Sequence, residues 1–255
     1  MKYHLIFFLL LSVFSANTVA QEKNLFPENV NKLISAYPQS IIGFEDNNLI
    51  MSDSTRIPYR QGKNKSHSEL MESKDLGDIF VYPYIKGEIK EIPKNYDPGR
   101  IRSEELLKQM YGKTSGEVQK NLVTIIWCPN LVNQKLRVTK VNGVDKQLQK
   151  ISDELDKHPE LKTYLKSAGT FNWRKVRGTD RLSSHSFGTA IDLNVNYSNY
   201  WQWDCRCTLE DVDLKYRNRI PQLIVDIFEK HGFIWGGKWY HYDTMHFEYR
   251  PELLL

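Results

Sequence analysis

The chain of 255 residues holds only three cysteines, Cys128, Cys205 and Cys207, and no Cys-x-x-Cys. That makes a zinc-thiolate site the weaker reading. No apolar run approaches the ~20 residues that a membrane-spanning helix needs. The run over residues 5–14 is about half as long. Dense basic patches are missing too: 35 Lys and Arg against 31 Asp and Glu leave a formal charge of +4 and a pI near 8.7. A nucleic-acid partner is therefore not expected, whereas a mild attraction to anionic surfaces is. Internal repeats and low-complexity segments are absent. With 40% hydrophobic and 26% charged residues, the composition is that of a soluble protein with a real core and excludes disorder as its main state.

The first twenty residues have a form of their own. Lys2 and His4 precede the apolar run, and a small, polar stretch closes in Thr18-Val19-Ala20. A charged start, a short apolar centre and a small-x-small end are the parts of a secretory signal peptide, here cleaved after Ala20. No cysteine sits near that junction, which disfavours a lipid anchor. The expectation is an exported monomer, periplasmic or extracellular, without a stable membrane anchor. Export brings the cysteines into an oxidising compartment. A bridge within Cys205-x-Cys207 closes a very small, strained ring, so Cys128 is expected to pair with one of the two.

Residues 21–100 read as an N-terminal extension packed on a main domain over 101–255. The extension mixes a short helix after Phe26, strands at Ile41 to Phe44 and Asn48 to Met51, a polar loop at Gln61 to Ser68, and a proline-punctuated crossing near Pro83, Pro93 and Pro98. Nothing catalytic stands out in it. From Ser103, an N-cap, the pattern becomes regular. A helix carries Leu106, Leu107 and Met110, and strands follow at residues 121–127 and 136–141. A second helix carries Val144, Leu148, Ile151 and Leu155, up to Pro159. A third, between Arg219 and His231 with Pro221 in its first turn, carries Ile220, Leu223, Ile224, Ile227 and Phe228 and stops at Gly232. The strands lie too close together for regular βαβ crossovers. The fold class expected is α+β, with helices on a small, mainly antiparallel sheet.

The chemistry gathers in two places. Within residues 183–192, His185 lies seven residues before Asp192, and Gly188 lets the chain turn between them. An imidazole and a carboxylate so placed can hold a borderline-soft cation, most often zinc. A catalytic zinc keeps three protein ligands and one open position, and His246 is the natural third ligand, with His241 as the alternative. Asp243, three residues before His246, then sits where a general base is needed. His4, His67, His158 and His231 read as surface residues.

The pattern Ser183-x-His185-x-x-Gly188-x-Ala190-x-Asp192, followed by Asp243-x-x-His246, resembles the zinc peptidases that cut peptidoglycan stem peptides. These are the vancomycin-resistance D,D-carboxypeptidases of the VanY type and the related L-alanyl-D-glutamate endopeptidases, whose fold is similar to the Hedgehog signalling domain. The likeness runs from about Leu148 to Glu252. It implies one zinc per chain on His185, Asp192 and His246, with Asp243 as catalytic base and stem peptides as the substrate. It also implies an arginine on the substrate carbonyl. Arg174 is chosen over Arg177 and Arg181 because it follows Phe171-Asn172-Trp173. Ser183 is expected to brace the His185 turn or bind substrate. Trp235, Gly236, Gly237 and Trp239 are expected to form a cleft wall, the glycines letting backbone approach the substrate, with core packing as the equal alternative for Trp235. The vancomycin-resistance enzymes mostly carry Glu at the base position and the endopeptidases Asp. Asp243 therefore leans towards the L-Ala-D-Glu bond, with D-alanyl-D-alanine carboxypeptidase activity or a non-catalytic wall-binding module as alternatives. An exported peptidase acting on proteins or free dipeptides also remains open.

Overall fold

A computed structural model describes residues 26–61, 65–72 and 75–255. Residues 1–20, the segment expected to be a signal peptide, lie outside the described residues. The elements in order are α1 (Glu28–Ala36), β1 (Ile41–Glu45), β2 (Asn48–Met51), β3 (Arg56–Pro58), α2 (His67–Glu72), α3 (Glu104–Tyr111), α4 (Ser115–Gln119), β4 (Leu122–Trp127), β5 (Gln134–Thr139), α5 (Val144–Leu155), β6 (Ala190–Asp192), α6 (Trp201–Cys205), α7 (Gln222–Lys230), β7 (Phe233–Trp235) and β8 (His246–Tyr249). The α+β expectation holds. The strands make three small sheets, β1-β2-β3, β4-β5 and β6-β8-β7, antiparallel at every pairing. Among the described residues no helix is long and apolar enough to cross a membrane.

Local chemistry accounts for most of these elements. The Ser103 hydroxyl accepts the Leu106 N–H at 3.3 Å and caps α3, as its position predicts. On α5, Val144, Leu148, Ile151 and Leu155 form one buried stripe. On α7, Ile224, Val225, Ile227 and Phe228 are buried, but Leu223 is 40% exposed, so the predicted face was set too wide. Pro221 lies before α7, at its cap, and not in its first turn. The polar loop expected up to Ser68 gives way to α2 from His67 onwards, because Leu70 and Met71 have a core to enter.

The β6-β8-β7 sheet positions the site. Strand β8 is central, with Phe247 and Tyr249 turned to the core, where Phe247 stacks on Phe228 at 4.0 Å. The period of two then places His246 and Glu248 on the opposite face. In register, Asp192 faces His246, and the small Ala190 faces Glu248. Residues before 100 share the core: Val30, Leu33 and Tyr37 join the same cluster as Ile224 and Phe228. Tyr37 Oη donates to Glu252 at 2.6 Å, and Tyr84 Oη to Glu229 at 2.7 Å.

The expected cysteine pairing is overturned. Cys205 bridges Cys207, their Cα atoms 5.2 Å apart, and Cys128 is a buried free thiol. Arg206 between the pair takes the left-handed conformation (φ 56°), which folds the two half-cystines towards each other. Cys128 is held beneath α5, where its N–H donates to Ser152 Oγ at 2.7 Å, and burial pushes its thiol up to about 12.

Gly188 closes the turn after His185 with φ 67°, and a Cβ there would meet Leu122 Cδ2 at 2.8 Å and Thr139 N at 3.1 Å. Gly188→Ala should lower stability by about 1–3 kcal/mol. An unchanged midpoint in denaturant unfolding would show that the turn relaxes freely.

Candidate functional site

Residues 183–187 enter the site through a tight turn. Ser183 caps the one-turn helix Ser184–Phe187, its hydroxyl accepting the His185 N–H at 3.4 Å. Of the two roles read for Ser183, bracing the turn is the one with a visible bond. His185 Nδ1 donates to the Thr170 carbonyl at 2.6 Å, which leaves Nε2 pointing into the site. His246 has the opposite arrangement. Its Nε2 faces Glu248 Oε2 at 3.0 Å, and its Nδ1 is the inner atom. Both rings are thus fixed from outside by an oxygen acceptor, as metal-binding imidazoles generally are.

The inner atoms form a nearly equilateral triangle. His185 Nε2 lies 3.1 Å from Asp192 Oδ1, His246 Nδ1 lies 3.0 Å from the same oxygen, and the two nitrogens are 3.3 Å apart. A tetrahedral ion with bonds of about 2.0–2.1 Å to nitrogen and oxygen separates its ligand atoms by roughly 3.3 Å. The triangle therefore fits such an ion with little movement. Burial pushes the Asp192 carboxyl up, but His185 and His246 outweigh it and hold Asp192 well below the usual range. Burial disfavours a charged His246, yet its bonds to Asp192 and Glu248 raise it to about 10. The inner position already attracts positive charge.

Asp243 sits beside the triangle and opens the turn into β8, its carbonyl accepting the His246 N–H at 3.2 Å. Its Oδ1 is buried without a hydrogen-bond partner. Burial and then the Asp192 carboxylate push its carboxyl up to about 7, opposed by His246, His185 and Arg174. A carboxylate that is nearly dry and free at one oxygen is suited to taking a proton. A cleft of about 380 Å³ opens over these groups and is also lined by Arg100, Arg102, Arg174, Arg177, Ser183 and Trp203.

The structure thus gathers His185, Asp192, His246, Asp243, Arg174, Ser183 and Trp239 around one cleft. Trp239 is a wall with little left to offer a ligand. Its indole N–H donates to Pro98 O at 2.6 Å, and its ring lies between the Arg102 guanidinium and the His246 ring, at 5.7 and 5.6 Å. Trp235 belongs to the core instead, 2% exposed. The neighbouring glycines make room for the chain itself. A Cβ on Gly236 would meet the Asp243 carbonyl at 2.6 Å, and one on Gly237 would strike the Trp235 ring at 2.1 Å.

His241 does not join the triangle. Its Nδ1 faces Asp97 Oδ2 at 2.7 Å, and its Nε2 faces the Glu210 carbonyl at 2.8 Å. The surface reading fails for His67, which stacks on His241 at 5.5 Å, and for His231, paired with Glu154 at 3.1 Å. His4 lies outside the described residues.

Sequence reasoning missed three groups. Glu248 supports His246, Arg102 grips Glu248 through Nε and Nη2 at 2.6 to 3.1 Å, and Arg100 bridges Asp97 and Glu210 at 2.7 Å each. Period-two spacing from His246 could have found Glu248. No local pattern marks Arg102, whose partner lies 146 residues away, and Arg100 has one partner three residues away and the other 110.

The family model described as D-alanyl-D-alanine carboxypeptidase matches residues 177–249. The resemblance to VanY-type peptidases is borne out over that stretch, which is under a third of the chain and includes the triangle and Asp243. It supports a peptidase that acts on peptidoglycan peptides. No curated protein and no solved structure gives a match.

Removing the buried Glu248 carboxylate would strand Arg102 in a largely dry setting and leave Arg250 to Glu252. Glu248→Ala should cost about 3–5 kcal/mol in denaturant unfolding, and a cost below 1 kcal/mol would mean that the network is slack. Acid sensitivity should draw on Asp97 and Glu210 as well as on Asp192 and Glu248, whose carboxyls are also held low. Burial raises Asp97 and Glu210, but Arg100 with His241 holds Asp97 well below the usual range, and His67 with Arg100 holds Glu210 at about 2. Depressed carboxyls stabilise the fold above their ordinary range, and that stability drains away as pH falls from about 4 towards 2. Glu210→Gln should flatten the loss in a pH series of unfolding midpoints, and an unaltered slope would exclude Glu210 as its source.

Proposed function

We propose that the chain is an exported zinc peptidase that hydrolyses peptidoglycan stem peptides, with the L-Ala-D-Glu bond favoured. The observation that carries this is the His185–Asp192–His246 triangle, 3.0 to 3.3 Å on a side, with a carboxylate oxygen of Asp243 left free beside it. The family match supports the substrate class. Asp243 at the base position supports the L-Ala-D-Glu bond, by its likeness to the endopeptidases. The description of the matched family favours a second reading, release of terminal D-Ala. The pattern of residues 1–20 supports export, and so does the Cys205–Cys207 bridge, since disulfides persist in oxidising compartments.

His185, Asp192 and His246 would hold one ion per chain. Zinc bound there supplies Lewis acidity, which lowers the pKa of water to ~7 and polarises a peptide carbonyl. Asp243 Oδ1 takes the proton of the attacking water and returns it to the leaving amine. Arg174 lies at the cleft edge, and among the described residues its guanidinium is held only by the Lys175 carbonyl at 3.4 Å, so it is free to meet the oxyanion that develops on the substrate. Ser183 N–H donates to the Arg174 carbonyl at 3.0 Å, and this ties the arginine to the His185 turn.

Asp243→Ala should reduce hydrolysis by about 10²–10⁴-fold while metal analysis still finds one zinc per chain. Full activity in that variant would remove Asp243 from the mechanism. Mass spectrometry of defined muropeptides separates the two bonds. Fragments ending at L-Ala mark the endopeptidase, loss of a single D-Ala marks the carboxypeptidase, and intact substrate with zinc bound defeats the peptidase reading.

A further inference from the structure

Away from the triangle, a second set of imidazoles and carboxylates meets at the edge of the cleft. His67 on α2, Glu210 in the segment after the Cys205–Cys207 bridge, and His241 each offer one nitrogen or carboxylate oxygen within 4.8 Å of the other two. Asp97 stands beside them, paired with His241 and near His67.

One atom of the set is orphaned. His67 Nε2 is buried without a hydrogen-bond partner, 3.4 Å from Asp97 Oδ2 and 3.6 Å from Glu210 Oε2. A hydrogen bond from a ring nitrogen spans about 2.7–3.2 Å, which neither contact meets. Two ligand atoms of a tetrahedral ion stand roughly 3.3 Å apart, which both contacts nearly meet. The outer atoms of the set are held as well. Tyr82 Oη faces His67 Nδ1 at 3.3 Å, and the Glu210 carbonyl faces His241 Nε2 at 2.8 Å. Arg100 grips Glu210 by Oε1, so that Oε2 is the oxygen towards His67. Ligands fixed on their far side in this way are typical of metal sites.

His241 gives a second sign. Both of its partners are acceptors, the Glu210 carbonyl and, at 2.7 Å, Asp97 Oδ2. A neutral ring donates to only one of them, so the other contact calls for a second proton or a metal ion. The charges nearby are Asp97, Glu210 and Glu72 against Arg100 and Arg181, while Arg102 is committed to Glu248. With His241 neutral, three carboxylates against two guanidinium groups leave the surroundings negative. His67 is 12% and Glu210 33% exposed, which gives an ion a way in from solvent.

We propose that His67, Glu210 and His241 bind a divalent transition-metal cation such as zinc, with Asp97 and Arg100 supporting the ligands. The ion ties α2 to the wall segment and to the cleft edge, which His241 lines. This site does not depend on the function proposed above. His67 lies outside the residues that the family model matches, so the match does not account for it.

Zinc titration of the full chain against a competing chelator tests this. At roughly micromolar free zinc the chain should take up an equivalent beyond the one retained by the triangle. His67→Ala should weaken that second uptake about a hundredfold or more and leave the first in place, and His185→Ala should do the reverse. Glu210→Gln, which keeps the shape of the side chain, should act in the same direction as His67→Ala. The unmutated chain supplies a check that no substitution can disturb. Crystals grown with zinc should show anomalous scattering within about 2.5 Å of His67 Nε2 and Glu210 Oε2. Uptake indifferent to both substitutions, or no anomalous peak at His67, overturns the site. So do two ring protons on His241 in nitrogen NMR at saturating zinc, since a proton then fills the place of the ion. Uptake that His67→Ala removes and His185→Ala leaves would uphold this site even if the triangle took no zinc.

Discussion

The carboxylate of Glu248 is the constraint on which this structure turns. It is 1% exposed, and an ion so buried costs several kcal/mol unless donors surround it. Here they come from three directions: Arg102 at 2.6 Å, Arg250 at 3.2 Å and His246 Nε2 at 3.0 Å. Satisfying Glu248 therefore draws residues near 100, the centre of β8 and the C-terminal turn to one point. His246 gains most from this. With its outer nitrogen held, its inner nitrogen can only face Asp192, across the β6-β8 pairing.

The network does not stop at the sheet. Arg250 continues to Glu252 at 2.5 Å, and Glu252 accepts the Tyr37 hydroxyl at the end of α1. A parallel set joins Asp97, Arg100, Glu210 and His241 along the cleft edge. The N-terminal residues are thus working parts of the cleft as well as cover for the core. Arg100 and Arg102 spend their charge on protein carboxylates and so act as framework. Arg174 and Arg177 do not, and remain available to a ligand.

The gathering of His185, Asp192 and His246 was legible in the sequence because its causes are local. Ser183, His185 and Gly188 form a single turn, and alternation along β8 orients His246. What surrounds it was not legible. Arg102 and Glu248 are 146 residues apart, and no periodicity announces an ion pair at that separation. The cysteine pairing was misread because ring size was weighed without the left-handed residue that Arg206 supplies, and without the burial that keeps Cys128 from any partner. His67 was misread as surface because a lone histidine gives no sign of an aromatic ring waiting to stack on it. The glycines beside Trp235 were misread for a related reason. Gly236 and Gly237 look alike in a ligand wall and in a tight turn, and only the neighbouring Asp243 carbonyl and Trp235 ring distinguish the two.

Bond choice must then lie outside the triangle. The pairing of β6 with β8 places Asp192 opposite His246 whichever peptide is cut, so the ligands carry no information about it. One wall of the cleft comes from the segment from Val195 to Arg219, through Val195, Tyr200, Trp201 and Trp203. Arg219 closes its two ends by donating to the Asn196 and Ser198 carbonyls at 3.0 and 2.5 Å, and the Cys205–Cys207 bridge stiffens its middle. The Tyr242 hydroxyl pins it from below through Asp204 at 2.8 Å. This wall presents Trp203, 53% exposed, to the cleft, which Arg174 and Arg177 also line. A ligand that enters there meets an aromatic face and cations as well as the triangle, so Trp203 and these arginines are placed to discriminate between ligands that the triangle alone would treat alike.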